Sequence, residues 1–166
     1  MEVTFYLNYI ADYVQIIDTI LKAGNYSKIL FFGTSGGGFI SLFLASYFNQ
    51  YAFIANGFIY SNSNHYRRLK KRCENTQYAI RMDIQPVLDQ YGFPKKVYLF
   101  SNKADSIHNK NSKLFLQENE KNKENIDENF FHRKPNDGSD PHSINMPSKN
   151  TEYWVQYFIN KISFDD

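Results

Sequence analysis

The sequence predicts an α/β protein with a mostly parallel sheet of about four strands and helices on both faces. Helix-like and strand-like segments alternate along the 166 residues, as in sheets whose parallel strands are joined by helical crossovers. The strand-like segments are continuous apolar runs, as expected where both faces of a sheet are covered. From Ile29 to Tyr66 there is no Asp, Glu, Lys or Arg, which fits two buried strands and a buried helix between them.

Length and composition favour one domain over residues 1–166. The 15 Phe and 13 Tyr residues supply a sizeable core. A net charge of +2 does not favour nucleic acid as a partner. Cys73 is the single cysteine and cannot form an internal disulfide, which fits a reducing compartment, and we expect a cytoplasmic protein. Gly-rich and polar breaks divide the uncharged stretch into pieces too short to span a membrane.

The first half of the chain begins with an amphipathic helix over about 8–23, because apolar residues recur there at helical spacing. Gly24 and Asn25 stop it. Residues 28–32 form an apolar strand, 36–48 a helix and 52–59 a second strand, with Gly57 at a possible bend. This half therefore predicts two parallel strands joined by one buried helix.

The second half begins with a polar, basic segment that is interpreted as a helix over 65–75. The pattern then predicts a helix that starts near Asp83 and stops at Gly92. The further predicted elements are a strand over 96–101, a loop over 102–108, a helix over 112–120, a charged turn over 121–128, a strand over 129–133 and a C-terminal helix from Asn150 or Thr151. The residues expected on the buried face of that last helix are Trp154, Val155, Phe158, Ile159 and Ile162.

A Gly-x-Ser-x-Gly motif lies where the first strand turns into a helix. It consists of Gly33, Ser35 and Gly37. A turn this sharp needs backbone angles that side chains at the flanking positions would obstruct. It holds the serine hydroxyl at the carboxyl edge of the sheet and at the amino end of a helix, where backbone N–H groups can stabilise an oxyanion.

Two further residues follow strands and are expected at the same edge of the sheet. Asp105 comes after the third strand and His142 lies in the loop after the fourth. Acyl transfer from a serine needs a base, and the base needs a carboxylate that fixes its tautomer. The chain order Ser35, Asp105, His142 is the order associated with the α/β-hydrolase fold.

At these residues the chain resembles the α/β-hydrolase family, from the helix before Ser35 to the C-terminal helix. The resemblance implies the carboxyl-terminal part of an α/β-hydrolase fold. It implies Ser35 as nucleophile, Asp105 as acid, His142 as base and the Gly36 N–H as oxyanion donor. The implied activity is hydrolysis of a small-molecule or carbohydrate ester, or a thioester, without a cofactor. Acyl transfer by the same three residues is an alternative.

The sequence departs from that family before the strand that leads into the Gly-x-Ser-x-Gly turn, called the elbow below. The family usually has several more strands there. Those strands would supply a second oxyanion donor and cover one edge of the sheet. The chain is therefore expected to be a fragment, a truncated product, or a form that covers this edge by self-association. A non-catalytic hydrolase-like domain remains the second functional class.

Several residues keep other interpretations. Ser35 can be a small turn residue, Asp105 a loop turn or cap residue, and His142 a surface loop histidine. Asp137 and Asp140 can compete for the histidine. His65, His108 and His132 are rival histidines; His132 is expected to pack within a strand. Thr34, His65 and His108 are expected to line a substrate site. No metal is expected, because no His-x-x-x-His spacing occurs. The basic run over 67–72 is either a solvated helix face or a contact for an anionic substrate group.

Overall fold

The computed structural model describes residues 10–57, 83–134, 137–143 and 151–164. Helices and strands alternate through this part of the chain, as the sequence predicts. The elements are α1 (Ile10–Ala23), β1 (Leu30–Thr34), α2 (Gly37–Tyr47), β2 (Tyr51–Ala55), α3 (Gln85–Tyr91), β3 (Lys96–Asn102), α4 (Ser106–Glu118), a 3-10 helix (Glu120–Asn125), β4 (Ile126–Phe131), a 3-10 turn (Pro141–Ser143) and α5 (Thr151–Phe164). The predicted helix over 65–75, the basic run, Cys73 and His65 lie outside the described residues.

The four strands form one parallel sheet in the order β1-β2-β3-β4. Sheet order therefore follows chain order. At the carboxyl ends Thr34 lies opposite Ala55, and Asn102 lies opposite Phe131. The predicted α/β class with a four-stranded parallel sheet is confirmed, and the residues after each strand emerge at a common edge.

Alternate residues of the central strands enter two separate cores. On one face Ile54 and Leu99 pack with residues of α2, α3 and α4. On the other face Phe53 and Phe100 pack with α5. Because side chains alternate across a strand, a strand covered on both faces is apolar at successive positions. All five residues of β2 are buried, and residues 97–100 of β3 are apolar and buried. This explains the uncharged run in the sequence.

The aromatic core beneath α5 is built around Phe158. The centroid of its ring lies 4.3 Å from the ring centroid of Phe53 and 5.5 Å from that of Tyr98. Trp154 and Ile162 are buried on the same helix face. Ile159 was expected there too, but it is 54% exposed, because position 159 follows Phe158 by a rotation of about 100°.

Several element boundaries differ from the sequence expectation, and three of them have a cause in the structure. α4 starts at Ser106 instead of 112 because Asp105 caps it: the Asp105 carboxylate accepts the backbone N–H of His108. β4 starts at Ile126 because an edge strand tolerates charge, and Asp127 accepts a hydrogen bond from Lys161 at 2.6 Å. β2 ends at Ala55, since Asn56 has a φ of 45° and turns the chain away.

Apolar side chains lie exposed near the outer edge of β1. Phe32 is 55% exposed, and Tyr13, Ile16 and Ile20 of α1 are each more than half exposed. α1 buries less of its apolar face than the sequence predicts. Among the described helices, none is long and apolar enough to cross a membrane.

Candidate active site

Ser35 occupies a strained turn between β1 and α2. Its φ is 50°, in the left-handed region that costs a non-glycine residue energy. Its backbone N–H donates to the Ala55 carbonyl at 3.2 Å, and its carbonyl accepts from the Gly38 N–H at 3.0 Å. These bonds to β2 and α2 hold the serine in its turn at the carboxyl edge of the sheet.

Gly33 makes this turn sterically possible. A Cβ built on Gly33 would lie 2.1 Å from the Gly37 carbonyl oxygen and 2.4 Å from the Ser41 hydroxyl. The expectation that side chains obstruct the elbow is therefore confirmed at Gly33. It is wrong at Gly37, where a Cβ would meet no described atom within 4 Å. Instead Gly38 needs to be small, because its Cβ would lie 2.7 Å from the Gly57 Cα.

Three of the predicted residues form a continuous chain of hydrogen bonds. The Nε2 atom of His142 lies 2.9 Å from the Ser35 Oγ atom. The Nδ1 atom of His142 lies 2.9 Å from the Asp105 Oδ2 atom. The hydrogen bonds join the turn after β1, the cap of α4 and the 3-10 turn Pro141–Ser143, so three segments that follow different strands meet at one point.

The rival carboxylates on the histidine loop make other contacts. Asp137 accepts the backbone N–H of Ser139 at 3.0 Å, and Asp140 accepts that of His142 at 2.9 Å. Both therefore shape the loop, and it is Asp105 that reaches the imidazole. His132 follows β4 and is exposed, so the expectation that it packs within a strand is wrong. Thr34 is half-buried at the end of β1.

A second histidine shares the Asp105 carboxylate. The His108 Nδ1 atom lies 2.6 Å from Asp105 Oδ2, and the His108 backbone N–H donates to Oδ1 at 3.2 Å. The His108 ring stacks on the His142 ring, with centroids 4.0 Å apart and planes 15° apart. His108 was predicted to line a substrate site; in the structure it is 3% exposed. The spacing of three residues in Asp105–His108 could have indicated this pair.

The charge on Asp105 fixes the protons of this group. Burial acts to raise its pKa, but hydrogen bonds from His108 and His142 outweigh burial and hold the pKa of the carboxyl well below its usual range. An ionised carboxylate can only accept hydrogen bonds, so both Nδ1 atoms carry hydrogens. The Nε2 atom of His142 in its neutral form is then an acceptor, and the Ser35 hydroxyl donates to it.

Asn102, at the end of β3, ties the segments that carry Asp105 and His142 to the sheet. Its side-chain oxygen accepts the N–H groups of Ala104 and Arg133, both at 3.1 Å. Its side-chain nitrogen donates to the Arg133 carbonyl at 2.7 Å and to the Pro141 carbonyl at 3.2 Å. Asn56 accepts the Asn102 backbone N–H at 2.7 Å. Neither asparagine was predicted as a site residue, because an Asn directly after an apolar strand is at most a signal for a turn.

The predicted oxyanion donor, Gly36, precedes the first residue of α2. Within the described residues no carbonyl or side-chain oxygen takes its N–H. The N–H is exposed at the positive end of the helix, where a developing negative charge is stabilised.

Asp105, His108 and His142 are also close enough to be considered as metal ligands. One ligand atom from each lies within 4.8 Å of the others. A metal ion prefers to lie in the plane of each imidazole that binds it. Two nearly parallel rings stacked 4.0 Å apart have no such common point, so one ring would have to turn. Hydrogen bonds to Asp105 account for the arrangement without that movement.

A cavity of about 260 Å³ lies between α1, β1 and α2. Its lining is apolar and includes Tyr13, Phe32 and Phe43. Ser35 is not part of the lining. The cavity therefore belongs to the exposed β1 edge and not to the hydrogen-bonded group.

No family model, curated protein or solved structure matches this chain. Its function therefore has to be inferred from the side chains described above.

Proposed function

We propose that the chain is a serine hydrolase that cleaves an ester or thioester through an acyl-enzyme at Ser35. The observation that carries the proposal is the unbroken hydrogen-bond chain from Ser35 through His142 to Asp105, with both links at 2.9 Å. The strained φ of Ser35 supports it further, because strain in a turn is often retained where a side chain must be presented for chemistry. The resemblance to α/β-hydrolases agrees with this proposal.

In the first half of the reaction, His142 Nε2 takes the Ser35 proton while Oγ attacks the carbonyl carbon of the substrate. The carbonyl oxygen becomes an oxyanion, which the Gly36 N–H stabilises. Asp105 stabilises the imidazolium that forms on His142. The tetrahedral intermediate collapses as Nε2–H gives its proton to the leaving oxygen or sulfur, which leaves the acyl group on Ser35.

In the second half, His142 Nε2 takes a proton from water and the resulting nucleophile attacks the acyl carbon. The proton then returns to Ser35 Oγ as the acid product leaves. An alcohol in place of water gives acyl transfer by the same steps. Product analysis with added alcohol distinguishes the two reactions, since transfer yields a new ester and hydrolysis yields the free acid.

A fluorophosphonate probe tests the proposal, since it forms a covalent bond only with an activated serine. We expect labelling of the wild type and none of Ser35→Ala. Ser27→Ala, which removes an exposed serine in the bend before β1, is the matched control and should label like the wild type. EDTA in the assay should leave the labelling rate unchanged, because no step uses a metal.

A non-catalytic hydrolase-like domain is the competing proposal, and it predicts a folded protein that does not label. The exposed apolar side chains of β1 and α1 support a further proposal about partners. We propose that this edge is covered in use, by self-association or by further polypeptide. An exposed apolar strand edge is otherwise a site of aggregation.

A further inference from the structure

The carboxylate that orients His142 does not serve His142 alone. Asp105 Oδ2 accepts from His108 Nδ1 at 2.6 Å and from His142 Nδ1 at 2.9 Å. The shorter of the two bonds belongs to His108. Because one oxygen lies close to two N–H groups, its negative charge is divided between them. His142 therefore receives less stabilisation of its charged form than an unshared carboxylate would give.

His108 also determines where Asp105 and His142 lie. Its ring N–H and its backbone N–H bind the two oxygens of Asp105, so the carboxylate cannot rotate without breaking a bond. Its ring covers one face of His142. His108 itself is buried and fixed on α4. His142 lies on a turn of only three residues, and its orientation is thus held by contacts to a residue of a regular helix.

We infer that His108 is a positioning residue for the base, which it holds through the Asp105 carboxylate that both histidines share and through the stacking of its ring on that of His142. The inference rests on the proposed serine hydrolase function. The groups with a described contact to His142 include Asp105 and His108 from α4 and its cap, the Ser35 hydroxyl from the turn after β1, and Asp140 from its own segment. Among these, His108 shares the carboxylate and touches the ring.

Two substitutions separate the two roles. His108→Phe keeps a stacked ring and removes the donor to Asp105. His108→Asn keeps a side-chain N–H near the Nδ1 position and removes the ring. His132→Phe, at an exposed site after β4, is the matched control. All variants are checked for folding by circular dichroism and thermal melting, and His108→Asn provides a test if His108→Phe does not fold.

In the pH profile of kcat/KM, the acidic limb should move in His108→Phe to higher pH by about half a unit to one unit. In His108→Asn the limb should stay within about 0.3 units of the wild type, while kcat falls about tenfold because the ring is no longer held. His132→Phe should match the wild type in both respects. A limb that stays at the wild-type pH in folded His108→Phe overturns the inference.

Ring nitrogen NMR gives the same answer without activity. The pH at which His142 gains its proton should rise in His108→Phe and stay unchanged in His132→Phe. An unchanged His142 titration in His108→Phe overturns the inference even if Ser35 labels well. A higher protonation pH of His142 in His108→Phe, together with no labelling of Ser35, supports the sharing of Asp105 and counts against the proposed function. Failure of the inference and failure of the proposed function are therefore distinguishable.

Discussion

Replacement of Gly33 by Ala tests how the elbow is built. The added Cβ would lie 2.1 Å from the Gly37 carbonyl oxygen, whereas real Cβ contacts essentially never fall below 3.0 Å. The neighbour is backbone at the start of α2, so the strand and the helix must separate by roughly 1 Å, at the overpacking cost of about 1–3 kcal/mol in the free energy of unfolding. A displacement of about 1 Å at Ser35 is enough to lower catalysis by roughly 100-fold.

Gly37→Ala is the matched control, because its Cβ would meet no described atom within 4 Å. Urea unfolding measures the stability of both variants, and fluorophosphonate labelling measures the reactivity of Ser35 under conditions where each is folded. We expect Gly33→Ala to lose stability and reactivity, and Gly37→Ala to stay within about threefold of the wild-type labelling rate. Equal behaviour of the two variants would refute the assignment of Gly33 as the residue that permits the turn.

Three further predictions concern the acid, its support and the core. Asp105→Asn should lower kcat about 10⁴-fold and the free energy of unfolding by about 1–3 kcal/mol at pH 7. Because the pKa of Asp105 is lower in the folded than in the unfolded protein, the difference in unfolding free energy between variant and wild type should shrink as the pH falls below about 4. A difference that stays constant with pH would contradict the role of the Asp105 charge. Asn102→Ala should lower kcat with little change in the fluorescence of the folded core, since it frees the Pro141 and Ala104 segments; an unchanged kcat would count against this support. Phe158→Ala should lower the free energy of unfolding in urea by about 3–5 kcal/mol. Ile159 is more than half exposed, so Ile159→Ala should lower it by less than about 1 kcal/mol. Similar losses in the two variants would mean that the aromatic core is wrongly assigned.

The two central strands were predictable because each contains a continuous apolar run. A continuous apolar run such as residues 51–55 is typical of a strand covered on both faces, and all five residues are buried. The start of α4 was not predicted, because Asp105 is equally suited to a loop and to a cap. Which role it takes depends on where β3 ends, and that is set by pairing with β4, far away in sequence.

The candidate site was partly predictable for a related reason. Ser35, Asp105 and His142 each follow a predicted strand, so topology alone brings them to one edge. Asn102 was not predicted as a site residue, and His108 was predicted only to line a substrate site, because their contacts depend on which atoms face each other once that edge has formed. Neither a stacked imidazole nor an amide that bridges two loops leaves a pattern in the sequence.

The sheet order β1-β2-β3-β4 has a consequence for when the proposed activity would arise. Domains begin to fold from the amino terminus during synthesis, and here each new described strand can add to an edge that already exists. Of the described strands β1 is made before the others, while His142 follows Ser35 by 107 residues. In the proposed mechanism a nascent chain thus carries Ser35 long before His142. Reactivity of Ser35 would then arise only when the segment after β4 reaches the edge of the sheet, and a half-made chain would be protected from acylation.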